Sequence, residues 1–93
     1  MTNQLFSLGQ MVATPQAIAA LAEDGQTPLD LLKRHVAGDW GDVCPDDART
    51  NEQAVTNGDR IFSVYHTNNK QEKLYVITEW DRSVSTVLMS HEY

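Results

Sequence analysis

The sequence holds a single cysteine, no apolar run long enough to cross a bilayer, and none of the short motifs that mark common catalytic or cofactor sites. A lone Cys44 has no internal disulfide partner, so the core needs no oxidising compartment to hold it. Met1 to Gln10 lack the basic start and continuous apolar stretch of a secretory signal. The expectation is a cytoplasmic protein with no membrane contact. A Gly-rich phosphate loop, G-x-S-x-G, H-E-x-x-H and C-x-x-C are all missing. A chain of 93 residues forms one small domain, and folding at that size hides only about two-thirds of the surface of the unfolded chain. A deep catalytic cleft is hard to build on that scale, so the sequence is read as non-enzymatic and without a cofactor.

Basic residues are scarce. There are 13 acids against 7 bases, and the excess lies entirely before Arg60, where nine acids face three bases. From Arg60 onward there are four of each. An acidic surface repels nucleic-acid phosphates, so direct DNA or RNA binding is not expected, whereas a basic protein surface is a compatible partner. The alternative is that the charge serves solubility alone.

What is present divides the chain into two halves of different periodicity. Gln4 to Thr14 reads as a short extended segment, an edge strand with a bulge at Gly9. Thr14-Pro15 then starts a helix running to about Asp24, because a threonine oxygen caps first-turn amides and a proline at the first position loses no bond. Thr27-Pro28 repeats the signal for a second helix through Val36, stopped by Gly38. Lys33, Arg34 and His35 lie in its last turns, where cations favour the negative end of the helix dipole. Pro45-Asp46-Asp47 opens a third, polar helix that ends at Asn57-Gly58. From Arg60 the period falls to two: "RIFSVYH", "KLYVITEW" and "VSTVLM" are rich in β-branched and aromatic residues and are separated by polar turns. The fold class is α+β, a single domain over 1–93. A short N-terminal extended segment and two to three short helices pack on a C-terminal three-stranded antiparallel meander.

The run from His35 to Ala54 gathers ligand-type residues: His35, Asp39, Asp42 and Cys44. Zinc sites show paired ligands at tight spacing and calcium loops alternate oxygens about a central glycine, and neither pattern occurs, so no metal is assigned. Cys44 with His35 as nucleophile and base is the catalytic alternative to a structural cysteine. Trp40, between Gly38 and Gly41, is either a ring that fastens the loop to the core or an exposed anchor for a partner, and burial of so large a ring favours the core. The same holds for Trp80. Arg82 is expected to pair with Glu79 or Asp81 at the surface.

Three stretches, "LGQMVATP", "LLKRHVAGDWGDV" and "ITEWDRSVSTVLMSHEY", carry a resemblance that covers most of the chain. They resemble a family of small bacterial proteins borne on plasmids, prophages and other mobile elements, some labelled as type I restriction methyltransferase subunits. That activity needs a longer domain with a cofactor loop and an N/D-P-P-Y/F motif, neither of which is here. The resemblance implies the context of a mobile element. In that context a small acidic protein is expected to bind and disable host defence, a Cas or restriction subunit with a basic surface, through Asp39, Trp40, Asp42, Asp46, Asp47 and Glu52. The alternative implied is a homodimeric plasmid-maintenance, antitoxin-like or regulatory accessory, paired through an exposed strand of the meander.

Overall fold

The computed structural model describes residues 4–93, so Met1–Asn3 of the Met1–Gln10 reading lie outside it. The chain runs β1 (Gln10–Ala13), α1 (Pro15–Glu23), α2 (Pro28–Val36), α3 (Pro45–Asn57), β2 (Ile61–His66), β3 (Lys73–Thr78) and β4 (Val84–Met89), and closes with a 3-10 turn at Ser90–Glu92. The α+β class and the three helices agree with the sequence reading. The sheet differs from it. It has four strands in the order β1-β4-β3-β2, with β1 parallel to β4 and the other pairs antiparallel. The extended segment expected over Gln4–Thr14 is not one element: only Gln10–Ala13 is strand, and Gly9 (φ 64°) precedes it instead of forming a bulge within it. A side chain at Gly9 would run into the Arg82 and Ser83 carbonyls, so the entry to β1 needs a residue without one.

Thr14 places the first helix. Its hydroxyl oxygen accepts from the Ala17 N–H at 3.1 Å and its proton goes to the Glu92 carboxylate at 2.7 Å, tying the C-terminal turn to the start of α1. At α2 the Thr27 N–H donates to the Asp30 carboxylate at 2.8 Å. Helix α3 ends on Gly58 in the left-handed conformation, as the Asn-Gly pair predicts.

Alternation along β2, β3 and β4 sets two sheet faces. Tyr65, Leu74, Val76, Val87 and Met89 point inward and close a core against Ala17 and Leu21 of α1 and Leu31 and Leu32 of α2. A second cluster joins Phe6, Val36, Trp40, Ala54 and Ile61. Between them His35 is fully buried, flanked edge-on by the Phe6 ring at 5.2 Å and the Trp40 ring at 5.9 Å. It is therefore not the surface cation at a helix end that the last-turn pattern suggested. Burial, with a smaller push from the Arg82 charge, drives its pKa down to about 3, and it is neutral.

The two outer strands meet different fates. The edge of β2 is closed: Asn51 of α3 bonds both backbone groups of Phe62, and the loop at Trp40–Asp42 bonds both backbone groups of Val64, at 3.0 and 2.7 Å. Within the meander, β4 is internal and β2 is covered along Phe62 and Val64. Among the described residues the open edge is β1.

Candidate functional site

The acidic stretch is built on the segment that covers β2. Gly41 (φ 75°) passes so close to the Val64 carbonyl that any Cβ would collide with it, which lets the loop pair with the strand. The Tyr65 hydroxyl donates to the Asp39 carbonyl, and Arg34 donates to the Asp39 carboxylate at 2.7 Å. That bond holds the Asp39 carboxyl below its usual range, aided by the Gly41 N–H. Burial pushes the Tyr65 phenol up.

Of the six residues assigned to a partner, Trp40 is buried, while Asp39 and Glu52 are exposed and each bonds a group of the chain itself. Trp40 is 5% exposed and stacked near Phe6 at 6.3 Å, so its ring is a core element. Its indole N–H donates to the carboxylate of the exposed Glu52 at 3.1 Å. Asp39 serves Arg34 and the Gly41 N–H. Asp42, Asp46 and Asp47 are exposed as well. Asp42 contacts His66 at 2.6 Å, Asp46 pairs with Arg49 at 3.2 Å, and Asp47 makes no ion pair among the described residues. Trp80 departs from the core expectation: it is 66% exposed, because it sits where the chain turns out of β3.

Asp47 stands on the wall of a groove of about 350 Å³ between α3 and the outer face of the sheet. Phe62, Val64 and Tyr75 form the floor, Thr50 stands on the α3 side, and Arg60 closes one end. The floor is aromatic: Phe62 and Tyr75 lie 4.7 Å apart, and Tyr93 meets both edge-on at 5.5 and 5.8 Å. Arg60 is held by the Tyr93 hydroxyl at 2.8 Å and by Glu79 at 3.4 Å, so its charge is partly neutralised where it lies. His66, with Asp42 against it, occupies the same face of β2 as Phe62 and Val64.

The groove residues escaped the sequence reading, although a signal was there. "RIFSVY" places apolar groups on both faces of one strand, Ile61 and Tyr65 on one and Phe62 and Val64 on the other, and the helices account for only one face.

The Cys44–His35 pair is not assembled. Cys44 is exposed at the start of α3, whereas both ring nitrogens of His35 are occupied, Nδ1 by Ser63 at 2.6 Å and Nε2 by Thr78 at 2.9 Å. The proton count sets the direction of this chain. Ser85 donates to the Leu8 carbonyl at 2.8 Å, so Thr78 donates to Ser85, His35 Nε2–H donates to Thr78, and Ser63 donates to Nδ1. No nitrogen is left to act as a base. Arg82 is likewise diverted: it makes no ion pair with Glu79 or Asp81, and its guanidinium donates to the carbonyls of Asp59 at 2.6 Å and Ala54 at 2.8 Å. Among the described residues no three His, Cys, Asp or Glu side chains are gathered closely enough to hold a metal, and no helix is long and apolar enough to cross a membrane.

Comparison with known proteins gave no matching family model, no matching curated protein and no matching solved structure.

Proposed function

We propose that this protein is a non-enzymatic protein-binding module that takes a basic segment of a partner into the groove between α3 and the outer sheet face. The observation that supports this most is the pairing of an open aromatic floor, Phe62 and Tyr75, with the unpaired carboxylate of Asp47 on the wall. A lysine or arginine stem lies well on such a floor, where its charge is attracted by the ring faces and by the acids beside them. Asp46 and Asp42, in the same stretch of chain, add to the negative field around Asp47, and a net charge of -6 steers a basic surface toward it. The biological form we assign is an anti-defence role for a mobile element, with a Cas or restriction subunit as the partner. The same acids turn phosphate backbones away, so the partner is protein rather than nucleic acid.

The test is capture of partners by the tagged protein from lysates of bacteria that carry restriction and CRISPR systems, beside the triple variant Asp42→Lys, Asp46→Lys, Asp47→Lys. The reading requires that a basic defence subunit be recovered by the wild type and lost by the folded triple variant. Equal recovery by both would remove the acidic groove from the account.

A further inference from the structure

Strand β1 carries an interaction surface of a different kind, and the reasoning for it is independent of the groove. In its parallel pairing with β4, the Gln10 N–H bonds Ser83 at 3.0 Å and the Thr14 N–H bonds Val87 at 3.0 Å. The alternation of a parallel ladder then turns the N–H and C=O groups of Met11 and Ala13 away from the sheet. Sheets protect such an edge with lysine, proline, a bulge or a covering segment. Among the described residues Gln10–Ala13 has none of these, the strand carries no charge, and Met11 is 54% and Val12 37% exposed. Beside it α2 contributes Leu29, 47% exposed, and a hollow of about 220 Å³ lies between Pro28, Leu29 and Leu32 of that region and Met11, Val12 and Ala13 of the strand.

We infer that β1 pairs antiparallel with β1 of a second copy of this chain, about a two-fold axis at Val12. In this register Met11 stands opposite Ala13 of the second copy and Ala13 opposite its Met11. Each pair exchanges both backbone bonds, so the outward groups of Met11 and Ala13 in both copies are satisfied at once. The side chains agree with the register. Met11 and Ala13 sit on the helix-bearing face, since they pair with Ser85 and Val87, whose side chains are buried there. A long residue therefore meets a short one, and the methionine of each copy lies against the apolar hollow of the other. Charge selects the same partner. Two copies at -6 each repel, and an uncharged strip is where they can approach, whereas a basic foreign protein is drawn to the acidic groove instead. The product is a continuous eight-stranded sheet.

The experiment is sedimentation velocity over a concentration series, with amide hydrogen exchange read at Met11 and Ala13 in the same samples. The dimer fraction rises with concentration, and protection at those two amides rises with it. Met11→Lys places a charge in the hollow and weakens association by about tenfold or more, with an unchanged circular dichroism spectrum. Asp46→Lys with Asp47→Lys leaves dimerisation intact, which separates this interface from the groove. A monomer at every concentration overturns the inference. So does a dimer in which Met11 and Ala13 exchange as fast as in the monomer, a readout that needs no variant to fold. Pairing of the edge with a foreign protein while the chain alone stays monomeric also overturns it.

Discussion

Asn51 stands in for a neighbouring strand at the edge of β2: its amide nitrogen donates to the Phe62 carbonyl at 2.8 Å, and its oxygen accepts from the Phe62 N–H at 3.1 Å. Asn51 itself is 3% exposed, so both bonds form away from water. Replacing it with leucine keeps the branched side-chain skeleton and leaves both backbone groups unpaired, at about 1–3 kcal/mol each. Asn51→Leu is expected to lower the urea midpoint and, because the β2 edge is then uncovered, to produce oligomers on size-exclusion chromatography that the wild type does not form.

The buried His35 gives a pH dependence with a fixed sign. Its folded pKa is about 3 against about 6.5 in the unfolded chain. Between those values the unfolded state binds a proton that the folded state does not, so stability is full above pH 6.5 and falls as pH drops. The slope approaches about 1.4 kcal/mol per pH unit. Denaturant melts at pH 7, 6 and 5 measure it. His35→Gln removes the slope over that window, which lies above the range where Asp39, whose carboxyl is held low by Arg34, begins to contribute.

Gly41 and Gly25 form a matched pair. Both have positive φ, 75° and 72°, but a Cβ at Gly41 meets the Val64 carbonyl and one at Gly25 meets nothing within 4 Å. Alanine at either pays the left-handed backbone cost, about 1 kcal/mol. Gly41→Ala is expected to cost several times more than Gly25→Ala, and to expose the tryptophan fluorescence of Trp40 as the loop lifts from β2. Equal losses in thermal melts would show that the loop does not depend on that close approach.

Much of the fold is legible in the sequence. Three proline-marked helix starts at Pro15, Pro28 and Pro45, glycine stops at Gly25, Gly38 and Gly58, and three alternating strands give the order and bounds of α1–α3 and β2–β4 nearly as found. The parallel β1 is not legible, because four residues of mixed polarity carry no sign of which strand they will join. The acidic cluster shows why site prediction from spacing alone fails here. Asp39, Asp42, Asp46, Asp47 and Glu52 look equivalent in a list. Only the fold reveals that Glu52 turns to the indole of Trp40 and Asp39 to Arg34. Arg82 misled for the same reason: local acids were visible, and the distant carbonyls of Ala54 and Asp59 were not.

That division of the acids gives a functional prediction. Glu52→Gln and Asp39→Asn affect stability, by about 0.2–1 kcal/mol for the half-exposed Arg34–Asp39 pair, and leave partner capture unchanged. Asp47→Lys and Asp46→Lys also lower stability, by about 0.3–1 kcal/mol each, because both acids stand at the positive end of α3, and unlike the first two they abolish capture. Thermal melts and pull-downs on the same four variants resolve the two groups.

The most direct measurement of the central claim is site-specific photo-crosslinking in lysate, with the reactive residue placed at Thr50 on the groove wall or at Glu23 at the end of α1, across the sheet. The account predicts a crosslink to a basic partner protein from Thr50, competed by a lysine- and arginine-rich peptide, and none from Glu23. A partner that crosslinks from Glu23 and not from Thr50 would contradict it.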